Sequence, residues 1–253
     1  MQTLKGRTAV FAGATAGDGR EAVKALCAGG MNVVMMTHNV PEAESLIAEV
    51  KAAGSPGLCA YYAGGNGPGE ENPELYTRLA EQYGSVDVII SNTGANGHLD
   101  NLETLSAEEL RRSLDHLVVG ALKTIQAALP VLKNSTAPRI ILMTTVDGVH
   151  GGTQESFANA VAKGAVEALA LNAAGRLAPS GITVNCIAKG AIPRVEGVRP
   201  GDPDPADRLP SIPMGRLGTP ADLAGVIAFL ASEESAYITG QIIELSGGLN
   251  LGR

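Results

Sequence analysis

The sequence predicts an α/β domain in which a doubly wound, seven-stranded parallel sheet is covered by helices on both faces. Two observations carry this. Short apolar runs alternate along the chain with longer segments of helical period. The runs are also continuously hydrophobic, which fits strands buried on both faces rather than half-exposed ones. The length, 253 residues at 45% hydrophobic and 18% charged, supports one large core, and nothing marks a second. Residues 1–253 are therefore read as a single domain.

Taken in order, the strands are TAVFAGA (8–14), NVVMMT (32–37), LCAYYA (58–63), VDVIISN (86–92), RIILMTT (139–145), TVNCIA (183–188) and QIIELSG (241–247). Between them the helical period returns at 18–29, 41–53, 73–82, 106–133, 154–178 and 219–232. No repeat or low-complexity tract interrupts the alternation. The exception to compactness is 193–213, which holds six of the 14 prolines and is too long for a simple connection. It reads as a mobile lid over a substrate site, or as plain disorder.

Composition excludes several classes. A net charge of -7 argues against nucleic acid. No apolar run reaches about 18 residues and the N-terminus lacks a signal-peptide design, so no membrane span and a cytoplasmic location are expected. Cys27, Cys59 and Cys186 form neither a CxxC nor a Cys/His cluster, which supports no disulfide framework and no metal site.

The first strand runs into AGATAGDGREAVKAL. There Gly13, Gly17 and Gly19 let the backbone turn tightly and bring a helix N-terminus against a bound pyrophosphate, the Rossmann-type arrangement. The position after a strand and before a helix is what such a loop requires.

With these residues in place, the whole chain resembles a classical short-chain dehydrogenase/reductase. AGATAGDG resembles the family's Thr-Gly-x-x-x-Gly-x-Gly, SNTG (91–94) its Asn-Asn-Ala-Gly, MTTVDG (143–148) its catalytic serine segment and AKG (188–190) its Ala-Pro-Gly. PMGRLGTPADLAGVIAFLASEESAYITGQIIELSGG follows the family's C-terminal pattern. The resemblance implies a catalytic tetrad of Asn, Ser, Tyr and Lys. In it tyrosine moves the proton, serine holds the carbonyl, lysine binds the nicotinamide ribose and asparagine supports a proton relay. Here only Lys163 is unchanged: Leu117 falls in the asparagine position, Thr145 in the serine position and Asn159 in the tyrosine position. Thr145 retains a hydroxyl. Asn159 does not titrate and can only hydrogen-bond a developing alkoxide. Tyr61, Tyr62, Tyr76 and Tyr83 fall on the adenine half and are no substitutes.

The resemblance also implies a cofactor site built from Gly13, Thr15, Gly17, Asp18 and Gly19 of the loop, Thr37 and His38 after the second strand, Asn92 and Gly94, Lys163, and Lys189 with Gly190. Several of these depart from the pattern. Ala12 replaces the threonine that braces the loop. Asp18 replaces an apolar residue and places a carboxylate near two phosphates; it either faces solvent or caps its own helix, the reading preferred from sequence, or occupies the anion site itself and blocks nucleotide. Thr37 stands where an NAD-selecting acid would be and His38 where an NADP-selecting arginine often is, a slight lean to NADP(H) over NAD(H). Gly65 or Asn66 takes the place of an adenine-contacting aspartate. Lys189 replaces a proline beside the nicotinamide.

Other polar residues converge on the carboxyl ends of the strands, where open α/β sheets bind ligands: His98, Asp100, Thr144, Asp147 and His150. His116 is assigned to helix packing. Three functions fit. One is an NAD(P)(H)-dependent oxidoreductase of a small carbonyl or alcohol that has reassigned its acid to His150, Lys163 or a water on Asn159. Another is a non-redox enzyme, such as a dehydratase, isomerase or lyase. The third is an inactive binding subunit. The 154–178 helix has small or apolar residues all around it, so a homotetramer or homodimer is expected.

Overall fold

A computed structural model describes residues 4–64, 72–94, 102–151, 157–193 and 204–251. Seven parallel strands form one sheet: β1 (Thr8–Ala12), β2 (Asn32–Thr37), β3 (Cys59–Ala63), β4 (Val88–Ser91), β5 (Arg139–Thr145), β6 (Thr183–Lys189) and β7 (Ile242–Leu245). Their order is β3-β2-β1-β4-β5-β6-β7, so the winding reverses between β1 and β4. That reversal opens a crevice at the carboxyl ends of these two strands.

The alternation of side chains along a strand divides the core in two. Ala9 and Phe11 of β1 pack with Ala22 and Leu26 of α1 (Gly17–Ala28), Leu46 of α2 (Val40–Ala52) and Leu223 and Ile227 of α8 (Pro220–Ala231). Val10 and Ala12 face the other way. They join Leu75 of α3 (Pro73–Tyr83), Ile125 of α5 (Gly120–Leu132) and Ala162 and Val166 of α7 (Phe157–Leu177). All five residues of β1 and all seven of β5 are buried, whereas the edge strands β3 and β7 are half-buried. The amino ends of the strands are knitted by a polar network. Asp87 accepts from Thr8 N at 2.8 Å and from the hydroxyls of Ser85 and Ser135, while Arg139 donates to the Pro138 and Ser232 carbonyls.

Four local features depart from the sequence reading. The segment read as one helix over 106–133 is α4 (Ala107–Leu114) and α5, joined by a π-helical turn at Asp115–Val119 that carries Leu117 fully buried. Residues Val146–His150, outside the helices read from sequence, form the short helix α6, which Thr145 caps through a hydrogen bond from Asp147 N. Within 193–213, residues 194–203 lie outside the described part, and Pro205–Ser211 forms a 3-10 helix. The strand read as 8–14 ends at Ala12, where Gly13 turns at φ 74.

Candidate active site

The glycine loop is shaped first by packing. A Cβ on Gly13 would lie 2.3 Å from the Asn92 carbonyl oxygen, and one on Gly19 would lie 2.3 Å from the Gly13 carbonyl oxygen. Both positions must be glycine for β1, β4 and α1 to meet. Gly17 differs: at φ 55, a Cβ there would touch nothing within 4 Å, so the loop leaves open space on its outer side. Ala16, which precedes α1, offers no side-chain cap, and the first-turn N–H groups of the helix are left to other partners.

Across the crevice mouth, three side chains from three elements meet. Lys189 Nζ, at the end of β6, donates to Asp18 Oδ2 at 2.8 Å and to Asn92 Oδ1 at 3.1 Å. Asn92 Nδ2, just past β4, donates to Asp18 Oδ1 at 2.9 Å and to the Gly13 carbonyl at 3.3 Å. Asp18 therefore does not face solvent: its carboxylate accepts the Gly19 N–H in the first turn of its own helix, in line with the capping alternative, and is also held by Lys189 and Asn92. Its side chain is 16% exposed and held from two sides. Burial pushes its carboxyl up, but the charge of Lys189, hydrogen bonds from Lys189 and Asn92, and the Gly19 N–H together bring it below the ordinary range. The repulsion expected of a lone carboxylate is cancelled by Lys189.

Lys163 projects from α7 to the ends of β4 and β5, where Nζ donates to Thr93 O at 2.7 Å and Met143 O at 2.8 Å. Asn159 lies one turn before it on the same helix. Thr145 ends β5, buried, in register with Lys189 on β6. What brings Thr145 toward α7 is a glycine pair: a Cβ on Gly148 would lie 2.9 Å from Gly164 N, and one on Gly164 would lie 2.9 Å from Gly148 O. Only two facing glycines let α6 seat so closely on α7.

The carboxyl end of β2 is hydrogen-bonded locally. Thr15 and Thr37 hydroxyls sit 3.4 Å apart, and Thr37 Oγ1 accepts from Asn39 N at 3.0 Å. His38 is exposed. Arg20, passed over in the sequence, is the nearby cation, but it spends its guanidinium on Glu49, Ser45 and the Thr15 carbonyl. Gly94 is exposed, while Gly190 allows close passage of Ser246, whose Cα a Cβ would meet at 2.8 Å.

Beyond β5, His150 pairs with Glu244 of β7, and Asp147 pairs with Arg208 of the 3-10 helix, tying the end of the 193–213 segment to α6. His98 and Asp100 lie outside the described residues, as do Gly65 and Asn66. The four tyrosines sit on or next to β3 and α3. Because β3 is four strands from β5 and strands lie about 4.8 Å apart, roughly 20 Å separates Tyr61 and Tyr62 from Thr145, while Tyr76 and Tyr83 belong to α3, packed in the core under β1. His116 is half-buried in the π-helical turn.

One residue missed in the sequence is Glu167, 4% exposed, a further turn along α7 from Lys163. Burial pushes its carboxyl up, against the opposing pull of the Thr144 hydroxyl, His150 and Lys163, with Glu244 adding to the rise. Neither Thr144 Oγ1 nor Glu167 Oε1 completes a hydrogen bond among the described residues. The i, i+4 spacing from Lys163 was the available signal. Among the described residues no His, Cys, Asp or Glu group could hold a metal, and no helix is long and apolar enough to cross a membrane.

Comparison with known proteins fits this geometry. Residues 13–250 match the family described as Enoyl-(Acyl carrier protein) reductase. The 3-oxoacyl-(acyl-carrier-protein) reductase FabG of Staphylococcus epidermidis is 34% identical over 248 residues, covering 96% of this chain and 98% of that protein. The 7alpha-hydroxysteroid dehydrogenase of Clostridium sardiniense is 29% identical over 260 residues, covering 100% of this chain and 96% of that one. A short-chain type dehydrogenase/reductase from Mycobacterium ulcerans superimposes with a TM-score of 0.88 at 22% identity, covering 97% of this chain and 90% of that one, a likeness of fold.

Proposed function

Because the chain belongs to the short-chain dehydrogenase/reductase family of oxidoreductases, we propose that it is an NAD(P)(H)-dependent oxidoreductase of a small carbonyl or alcohol, working through an altered constellation of Thr145, Asn159 and Lys163. The observation that supports this best is Lys163, whose buried ammonium is fixed between the ends of β4 and β5, beside the crevice that the glycine loop opens.

The backbone fits a dinucleotide: Gly17 leaves space where a pyrophosphate would approach, above the first turn of α1, whose N-cap residue Ala16 supplies no side-chain cap. Gly13, Thr15, Gly19, Asn92, Gly94 and Gly190 frame that groove. The nicotinamide, when bound, supplies or accepts the hydride. Thr145 is placed to donate its hydroxyl hydrogen to a substrate oxygen. Lys163 orients the ribose and adds positive charge near the developing alkoxide. Asn159 donates a hydrogen bond but no proton, and His150 and Lys163 are engaged elsewhere, so the proton comes from a water held by Asn159. Loss of a positioned acid costs about 10²- to 10⁴-fold in rate, and turnover is correspondingly slow. With no acid at Thr37, the ribose corner leans to NADP(H).

The test is calorimetric titration with all four dinucleotides, followed by nicotinamide absorbance against a panel of small ketones and alcohols. Sub-millimolar binding and slow turnover that Lys163→Met abolishes are expected. Binding without any turnover would favour the second reading, a non-redox enzyme or inactive binding subunit, which the absence of an acid at Asn159 supports. The assembly proposed is a homotetramer or homodimer. Leu122 of α5 and Phe157, Val161 and Leu171 of α7 are exposed in the single chain, as a partner-covered face would be. Light scattering at micromolar concentration that shows only a 25.8 kDa species would overturn it.

A further inference from the structure

The crevice of this sheet lies at the winding reversal between β1 and β4. A ligand running from the glycine loop to Lys163 and Thr145 must pass over the ends of β4 and β5. Asp18 starts α1 on one bank of that path. Lys189 ends β6 on the other, two strands beyond β4. The Lys189 side chain leaves its register partner Thr145 and reaches back across the path to Asp18. Asn92, at the end of β4, accepts from Lys189 and donates to Asp18, filling the gap between the banks. The result is a continuous strap of α1, β4 and β6 side chains over the crevice.

We propose that Asp18, Asn92 and Lys189 form a latch that a dinucleotide must open, exchanging the Lys189–Asp18 pair for a contact between Lys189 and the pyrophosphate. This rests on the reading of the crevice as a dinucleotide site. Each member is chemically suited to its part. Asp18 stays ionised because Lys189 and Asn92 outweigh its burial. Lys189 is a flexible point charge, able to swing between one anion and another, which a guanidinium fork does less readily. Asn92 presents both an acceptor and a donor and so bridges the two charges. The side chains of Lys189 and Asp18 are 26% and 16% exposed, so the pair is shielded enough to compete with a ligand yet open enough to break without unfolding. A ligand that spans the crevice must first separate them, and apparent affinity falls by the fraction of molecules in which the latch is open.

Two measurements test this. Calorimetry compares dinucleotide binding by the wild type and by Asp18→Asn, which keeps the shape and removes the charge; its melting temperature reports folding. Separately, a carbodiimide applied to the wild type couples adjacent carboxylate and ammonium groups as an amide, and peptide mass spectrometry reads the Asp18–Lys189 crosslink with and without dinucleotide. The expected result is at least tenfold tighter binding by Asp18→Asn, and a crosslink that saturating dinucleotide suppresses. Equal affinities, with crosslink yield unchanged while the wild type is saturated, would overturn the latch and leave the nicotinamide reading intact. If neither protein binds any dinucleotide at millimolar concentration, the latch is not the barrier and both readings fall.

Discussion

Glu167 stands one helical turn beyond Lys163 on α7, and both side chains are buried, at 4% and 7% exposure. The lysine is anchored on two backbone carbonyls, while the carboxylate has no equally good anchor among the described residues. Burial raises the Glu167 carboxyl above its ordinary value of 4.5. A group whose folded value is raised contributes stability that is complete below the unfolded value and lost as pH rises through the folded one. Glu167→Gln carries no such penalty. Its stability relative to wild type should rise between pH 5 and pH 8, by on the order of 1 kcal/mol, measured as urea midpoints with an unchanged m-value. An equal difference at the two pH values would show that Glu167 is ionised without cost.

The two positive-φ glycines of the first loop should respond differently to the same change. Gly13→Ala drives a methyl into the Asn92 carbonyl at 2.3 Å, backbone against backbone, and should prevent stable folding or lower the melting temperature by more than 10 °C. Gly17→Ala meets nothing and carries only the left-handed backbone cost of roughly 1–2 kcal/mol. A folded Gly17→Ala protein with weakened dinucleotide binding would separate the loop's packing role from its binding role. Similar melting temperatures for the two variants would contradict the geometry.

At the start of α8, Thr219 and Asp222 form a reciprocal capping box, and Asp222 also pairs with Arg216. Thr219→Ala should cost about 1 kcal/mol, because it frees an N–H at the end of a helix whose Leu223 and Ile227 pack into the core with α1. Thr219→Ser should restore most of the loss. Chemical denaturation of the three proteins checks this, and a Ser variant no better than Ala would argue that the methyl matters rather than the cap.

Asn159→Tyr should not restore rapid ketone reduction, although Lys163 and Thr145 would flank the new phenol. Leu117 offers no polar group for a relay, and the latch still lies across the crevice. Residues acting as a unit are strongly non-additive. A gain under about 100-fold is expected in nicotinamide absorbance assays with both cofactors; a larger one would place redox chemistry a single residue away. Adding Leu117→Asn should destabilise by about 3 kcal/mol or more, since it empties apolar volume and buries an amide among Ala162 and Val166.

The alternation of apolar runs and helical segments by itself determined the seven-stranded sheet, because strands buried on both faces leave an unbroken hydrophobic signature and helices a 3.6 period. The glycine turn between β1 and α1 was legible too, being fixed by local spacing. Tertiary structure alone decided what depends on pairs far apart in the chain. Lys189 and Asp18 are 171 positions apart and meet only because the winding reversal brings the ends of β6 and α1 to one crevice. Sequence read Asp18 as facing solvent or capping its own helix, as a carboxylate at a helix start usually does, and could not show the partners that hold it from β4 and β6. Likewise the π-helical turn at Leu117, the seating of α6 on α7 through Gly148 and Gly164, and the burial of Glu167 follow from how helices press on the sheet. Periodicity records which face a side chain takes. Which partner waits on that face is set by the packing of elements that are distant in sequence.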